Sequence, residues 1–384
     1  MALTFDEIPQ DTLNPGGYLE YDQSLAGALV DPARILLVGT KLAAGTQAVN
    51  AITRISTAAD AAAKFGVSSI LESCISYALK VSNGAELYAV AVDNLATANE
   101  AVDPDIDGLI DAMGDDRYDF VMLPYHDAET LNAIGDEIDR RWNAMVARKT
   151  RVFCVVPLGY DAALALAATL NNKLLHLIPM GDAATAEPAH VWNTVLTCVM
   201  ADRLQNDPAA PETDIVLPYI TPPAVEFTSR QRKDFINNGV GTWRTNVDKV
   251  QVSYLVTTYR INPQGAHDSA YRDIQVCEIL NKWRTYCLYQ CMKTFAGYKV
   301  AKDAKLYGAG QKILDPDELA GFLQTLYLTY AMREKGWFQD FERYRTTLIV
   351  EIDPDNQDRI NYSGIPTLIG QFRVLAGKDR FVTY

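Results

Sequence analysis

Arg34-Ile35-Leu36-Leu37-Val38-Gly39 is a short, unbroken apolar run closed by glycine, and it reads as a strand buried on both faces. From this point the chain alternates such runs with segments of helical period. Residues 57–82 predict one or two helices interrupted at Phe65-Gly66, and Glu86-Leu87-Tyr88-Ala89-Val90-Ala91-Val92 predicts the next strand. Further strands fit Asp119–Pro124, Val152–Pro157 and Leu174–Pro179, with helices near 127–147, 161–172 and 187–205. The alternation predicts an α/β layer fold.

Outward from that core the pattern changes. Between Asn206 and Ser229 stand Pro208, Pro211, Pro218, Pro222 and Pro223, which lack the amide hydrogens a long regular element needs and mark a domain junction. A short helix near 229–238 and strands near 241–260, turning around Asn246–Lys249, follow. A long helix is expected from Asp268 to Tyr298, with Tyr271, Ile274, Cys277, Leu280, Trp283, Cys287, Cys291 and Phe295 on one face. A second begins at Asp315-Pro316-Asp317-Glu318, which supplies an N-cap, a proline at the first helical position and an acid for a capping box. Its stripe is Leu319, Phe322, Leu323, Leu326 and Tyr330, and it is expected to reach Lys335. Together these predict an α/β domain over 34–205 and an α+β domain over 206–345.

At 384 residues the chain exceeds what one core usually organises, and 48% hydrophobic with 22% charged residues is the composition of a globular protein. The longest apolar runs stop short of the roughly 20 residues a membrane helix requires, and the opening Met1–Glu7 has no basic, apolar leader, so no direct membrane insertion is expected. The six cysteines form no C-x-x-C pair and suit reduced, buried thiols. Of the net charge of −13, most falls in residues 101–139, where twelve acids face the single base Arg117. That tract predicts a solvated surface that repels nucleic acid and phospholipid.

The inventory for chemistry is thin. Gly39-Thr40-Lys41-Leu42-Ala43-Ala44-Gly45-Thr46 follows a strand, yet its glycine spacing is wrong for a phosphate loop and no lysine precedes Thr46. Asp103-Pro104-Asp105-Ile106-Asp107-Gly108-Leu109-Ile110 matches the first half of a calcium loop, but Gly114 stands where the closing glutamate belongs. A polar loop capping a helix near 107–113 accounts for it better. His126, His176, His190 and His267 lack metal-binding spacing. These patterns predict no catalytic residue, no metal and no cofactor. The rival from another class is a cytoplasmic nucleotide- or sugar-binding α/β enzyme, whose site would be assembled from residues far apart in sequence.

The two ends are strand-forming. Tyr18-Leu19-Glu20-Tyr21 lies in an Asp-, Pro- and Gly-rich segment over 1–33, and residues 346–352 and 366–375 read as strands around a polar Asp353–Ser363 loop too long for a tight hairpin. The residues alone leave open whether such strands pair within their own subunit or extend another's sheet.

Family likeness enters with Leu217-Pro218-Tyr219-Ile220-Thr221-Pro222-Pro223, Phe227-Thr228-Ser229-Arg230-Gln231-Arg232 and Asn237-Asn238-Gly239-Val240-Gly241-Thr242-Trp243. It continues through Leu255–Gly265, Asp268–Asp273, Tyr307–Gln311 and Leu348–Glu351, with Phe5–Pro9 and Gly17–Tyr21 at the start. In this order the segments resemble contractile tail sheath proteins, particularly those of Mu-like phages. Larger sheaths insert surface domains where this chain passes from Val92 straight to the acidic tract.

The resemblance implies a structural subunit of a virion tail, assembled in the host cytoplasm. Its hexameric rings would stack helically around a tail tube protein, between baseplate and tail terminator, and contract to drive the tube through an envelope. It further implies an outer α/β domain, an inner, tube-proximal α+β domain and extended arms at 1–33 and 346–384 that add strands to neighbouring subunits. Tyr18, Leu19, Glu20 and Tyr21 would carry the first arm, and Leu348, Ile349, Val350, Leu368, Phe372 and Val374 the second. Lys293, Lys299, Lys302, Lys305 and Lys312 concentrate positive charge in an acidic chain, and the last four are the expected tube-facing residues.

Overall fold

The computed structural model describes residues 32–95, 104–183, 185–213, 215–308 and 310–383. Tyr18, Leu19, Glu20 and Tyr21 lie outside them.

Strand β1 (Arg34–Leu42) runs through the middle of a six-stranded sheet, and its alternation divides the core in two. Ile35 and Leu37 enter one apolar layer and Leu36 and Val38 the other, as the unbroken run requires of a strand covered on both faces. The remaining strands are β2 (Thr53–Ile55), β3 (Glu86–Leu95), β4 (Phe120–Met122), β5 (Arg151–Val156) and β6 (Leu175–Pro179), in the order β2-β3-β1-β4-β5-β6. All neighbours are parallel except β2, which runs antiparallel on β3. Three residues long, β2 has no alternation for a sequence reading to detect.

Helices α1 (Ala58–Phe65), α2 (Ile70–Val81) and α6 (Ala189–Asn206) cover the first face through Phe65, Cys74, Trp192 and Val195. Helices α3 (Ile106–Met113), α4 (Ala128–Trp142) and α5 (Tyr160–Ala168) cover the second through Leu109, Ile134 and Ala163. Capping fixes several starts: Ser69 Oγ accepts from Glu72 N at 3.0 Å and Asp127 Oδ1 from Thr130 N at 2.7 Å.

The segment after the prolines packs on this sheet. Helix α7 (Ser229–Asn237) leads into the hairpin β7 (Thr242–Asn246) and β8 (Lys249–Tyr254), whose turn holds Val247 at φ 44° and Asp248 at φ 62°. Gly241 N donates to Leu177 O at 2.8 Å, Thr258 N to Leu175 O at 3.0 Å and Trp243 Nε1 to Pro179 O at 2.8 Å, so the second half covers the β6 edge. Trp243, Val250, Val252 and Leu255 belong to the same apolar layer as α2 and α6.

Helix α8 (Ile274–Thr294) begins later than the Asp268 start that periodicity predicts. Asp268 instead accepts from Ala270 N at 2.9 Å and from Tyr259 Oη at 2.6 Å, closing a turn, and Arg272 O accepts from Thr257 N. The second expected helix is α9 (Pro316–Thr325), continued by a π-helical segment Leu326–Glu334. Near the start of this segment Tyr327, four residues after Leu323, is fully buried, whereas Tyr330, from the expected stripe, is half-buried. Around Trp283, Leu323, Tyr327, Phe338 and Tyr344 lies a third apolar cluster, with Tyr327 stacked on both Phe338 and Tyr344.

Candidate assembly site

Short elements on the surface of this third cluster carry the residues expected to act in assembly. The pair β9 (Lys299–Val300) and β10 (Ile313–Leu314) runs parallel, buries Ile313 and Leu314, and leaves Lys299 and Lys312 exposed. Between them a 3-10 turn, Ala304–Leu306, leaves Lys302 and Lys305 exposed on the same unit. Asp315 ties this unit to α9, since Oδ2 accepts from Ala304 N at 2.9 Å and Oδ1 from Glu318 N at 2.7 Å. These amides hold the Asp315 carboxyl below its ordinary value, so the cap stays charged. The four expected lysines are therefore gathered by one small, capped unit.

The C-terminal strands meet partners within the chain. After α10 (Phe341–Thr347), β12 (Ile349–Ile352) pairs antiparallel with β13 (Ile360–Ser363). The stretch Asp353–Ser363 thus contains a strand, and its true connection is shorter than the sequence implies. Asp353 closes it, accepting from Asp355 N, Asn356 N and Asn361 Nδ2. Val350 and Ile360 pack on the third cluster, while Ile349 and Tyr362 are exposed and the hairpin has no third strand among the described residues.

Leu368 lies in β14 (Thr367–Leu368), which pairs with β11 (Phe338–Gln339). The expected strand over 366–375 ends there, because residues after Leu368 run back past the start of β11, where Gly336, at φ 62°, and Trp337 donate to Met332 O and Ala331 O and close the helix before it. Phe372 and Val374 are exposed and outside any strand.

The residues that attracted attention as possible chemistry have structural partners. Gly45 packs against α1 so closely that a Cβ would stand 2.6 Å from the carbonyl carbon of Phe65, which explains that glycine without a phosphate. Asp105 caps α3, accepting from Gly108 N at 2.9 Å and from Asn50 Nδ2 at 2.6 Å. Asp103 lies outside the described residues, among which no cluster of three or more metal-ligating side chains occurs. Within the acidic tract, Glu137 is buried between Arg140 and Arg141, and Asp119 is half-buried on Arg117. The other described acids there are exposed.

Sequence reasoning missed a buried ionic cluster that joins the sheet to α8. Glu278 accepts from Lys149 Nζ at 2.9 and 3.0 Å and from Arg151 Nε at 2.7 Å, all three side chains being buried. Burial works to raise the Glu278 pKa, but Lys149 and Arg151 outweigh it and the net shift is downward. Arg151 also donates to Ile274 O and to His176 Nε2. Since arginine can only donate, His176 Nε2 accepts and Nδ1 carries the proton, donating to Val256 O at 2.8 Å. Burial and the neighbouring guanidinium push the His176 pKa well below its ordinary value, so the ring is neutral. The signal lay in a histidine and an arginine inside apolar strands and a glutamate beside the helical stripe.

With this geometry in place, relatives resolve the fold. The overall fold recurs in the sheath tail protein from Desulfitobacterium hafniense. That likeness has a TM-score of 0.59 at 11% identity, over 92% of this chain and 100% of the other. The fold is that of contractile-tail sheath proteins. The sheath of an extracellular contractile injection system, in its contracted state, matches 96% of this chain and 98% of its own, with a TM-score of 0.58 and 12% identity.

In sequence, the Mu-like prophage FluMu tail sheath protein of Haemophilus influenzae is 27% identical over 286 residues, or 74% of this chain. The match spans 58% of that relative's length. The resemblance carried by Leu217–Pro223, Asn237–Trp243 and Leu255–Gly265 therefore points to the same family as these relatives. No family model matches the chain.

Proposed function

We propose that the chain is the sheath subunit of a contractile phage or phage-like tail. It polymerises as hexameric rings stacked around a tail tube, joins a baseplate and a terminator, and drives the tube through an envelope when its subunits rearrange. The observation that carries this reading is the conjunction of a sheath fold over nearly the whole chain with a sheath protein as its sequence relative. The sheet-bearing body then lies outward, and the α8–α9 end of the 206–345 segment, with Lys299, Lys302, Lys305 and Lys312, faces a tube of complementary charge. The arms at 1–33 and 346–384 tether subunits while their bodies move, because main-chain ladders hold strongly and extended connections flex. The edges of the β12–β13 hairpin, which no strand of the described residues covers, are suited to receive such strands.

Deletion of residues 1–24 tests the tether. The apolar layers described above lie beyond that point, so the truncated protein remains soluble and unfolds cooperatively but forms no long tubes. Normal, contractile polymers from the truncated chain would refute donation at this end.

A further inference from the structure

After Leu368 the chain leaves its strand, and one side chain fixes its course. Arg373 is 14% exposed between Phe372 at 74% and Val374 at 81%. Its Nη2 donates to Glu212 Oε2 at 3.0 Å and to Gln275 Oε1 at 3.0 Å, and its Nη1 lies 3.7 Å from Asp273 Oδ1. The guanidinium carbon sits 4.4 Å from the centre of the Tyr254 ring. Glu212 comes from the proline-rich connection, Tyr254 from the end of β8, and Asp273 and Gln275 from the start of α8, so the recess is built by three elements.

The recess is also organised apart from the arginine. Glu212, 1% exposed, accepts from Leu255 N at 3.1 Å and from Gln275 Nε2, while Tyr254 Oη donates to Asp273. A cation beside a buried carboxylate offsets its desolvation further, and a planar guanidinium can reach Glu212 and Gln275 while stacking on Tyr254. Beyond Arg373, Leu375 and Phe381 are more than four-fifths exposed, and Gln371 reaches back to Ala209 O and Ile369 O.

We propose that Glu212, Asp273, Gln275 and Tyr254 form a guanidinium seat that fixes the root of the C-terminal arm, so that only residues after Arg373 are donated to a second copy of this chain. The inference rests on the reading of the chain as a sheath subunit with donated arms. At about 3.3–3.6 Å per extended residue, the segment 374–384 reaches at most roughly 35–40 Å from the seat. That distance sets how far a neighbouring strand edge can stand from Arg373 before or after rearrangement.

Hydrogen exchange of the full-length chain tests the seat. In Arg373→Gln, exchange across residues 366–376, including the Ile369 amide that donates to Trp337 O, rises at least tenfold while the six-stranded sheet is unchanged. Arg373→Lys keeps the charge but not the fork and gives an intermediate rise. The double variant Glu212→Gln with Arg373→Gln removes both charges and loosens the same residues, which separates release of the tail from damage by an unpaired buried carboxylate. Unchanged exchange in Arg373→Gln and in the double variant overturns the seat, whatever happens to assembly. Deleting 374–384 in the otherwise native chain tests the arm on its own. Loss of tubes supports donation, whereas normal tubes overturn donation and leave Arg373 as an internal anchor.

Discussion

Replacing Glu278 with alanine would leave Lys149 and Arg151 buried without their shared carboxylate. Each already contributes to a crowded site: Lys149 lies 4.2 Å from the centre of the Phe120 ring, and Arg151 retains Ile274 O and His176 as its acceptors among the described residues. Breaking a buried pair from one side costs about 3–5 kcal/mol, because uncompensated charge remains in a medium that solvates it poorly. With two cations on one carboxylate, about 4 kcal/mol or more is expected. Substituting all three positions together, Lys149→Met, Arg151→Met and Glu278→Leu, removes the charges and approaches neutrality, within about 2 kcal/mol. Urea unfolding followed by tryptophan fluorescence and circular dichroism provides the comparison. Trp192 and Trp243 report the sheet and Trp283 the third cluster, so coincident curves establish whether one transition is being measured. A Glu278→Ala midpoint corresponding to less than about 1 kcal/mol would refute the electrostatic reasoning.

The neutral His176 predicts a pH dependence with a definite sign. Its folded pKa is depressed, so the unfolded chain binds more protons below about pH 6.5, and stability falls with acidification from there by up to about 1.4 kcal/mol per pH unit. The depressed Glu278 adds its loss only below about pH 4.5, its unfolded value. His176→Phe should flatten the profile between pH 6.5 and 5, and an unchanged slope in thermal melts would count against the assignment. Asp105→Ala should cost about 1 kcal/mol through the lost cap of α3, and calorimetric titration of the native chain with calcium should show no micromolar binding. Gly45→Ala should destabilise by about 1–3 kcal/mol, read from the urea midpoint, because its Cβ meets backbone that cannot yield. Charge reversal at Lys302 and Lys305 should weaken co-assembly with tube in a salt-dependent manner; identical co-assembly across a salt series would remove this surface from consideration.

The parallel core was legible in the sequence because strands covered on both faces must be apolar at consecutive positions, as Ile35–Val38 and Val152–Val156 are. Helix α9 was legible because Asp315-Pro316 is a chemical start signal rather than a periodic one. The start of α8 was misread because Tyr271 continues the helical spacing by coincidence, while Asp268 and Arg272 spend their hydrogen bonds on a turn. The π-helical segment Leu326–Glu334 leaves no mark in the apolar pattern, in which Leu326 and Tyr330 keep ordinary helical spacing. Strand β13 was hidden in polar sequence because its outer face meets solvent. Of the expected assembly residues, Lys299, Lys302, Lys305 and Lys312 fall on one capped unit, which their crowding in sequence anticipates. The Glu278 and Glu212 clusters were not legible, because their members come from strands, helix and connection far apart in the chain.

Negative-stain electron microscopy of the purified full-length protein tests the central claim most directly. A sheath subunit should form rings or hollow, helically ridged tubes, either alone or on co-expression with its tube protein. Discrete globular particles at every concentration and in both preparations would contradict the account.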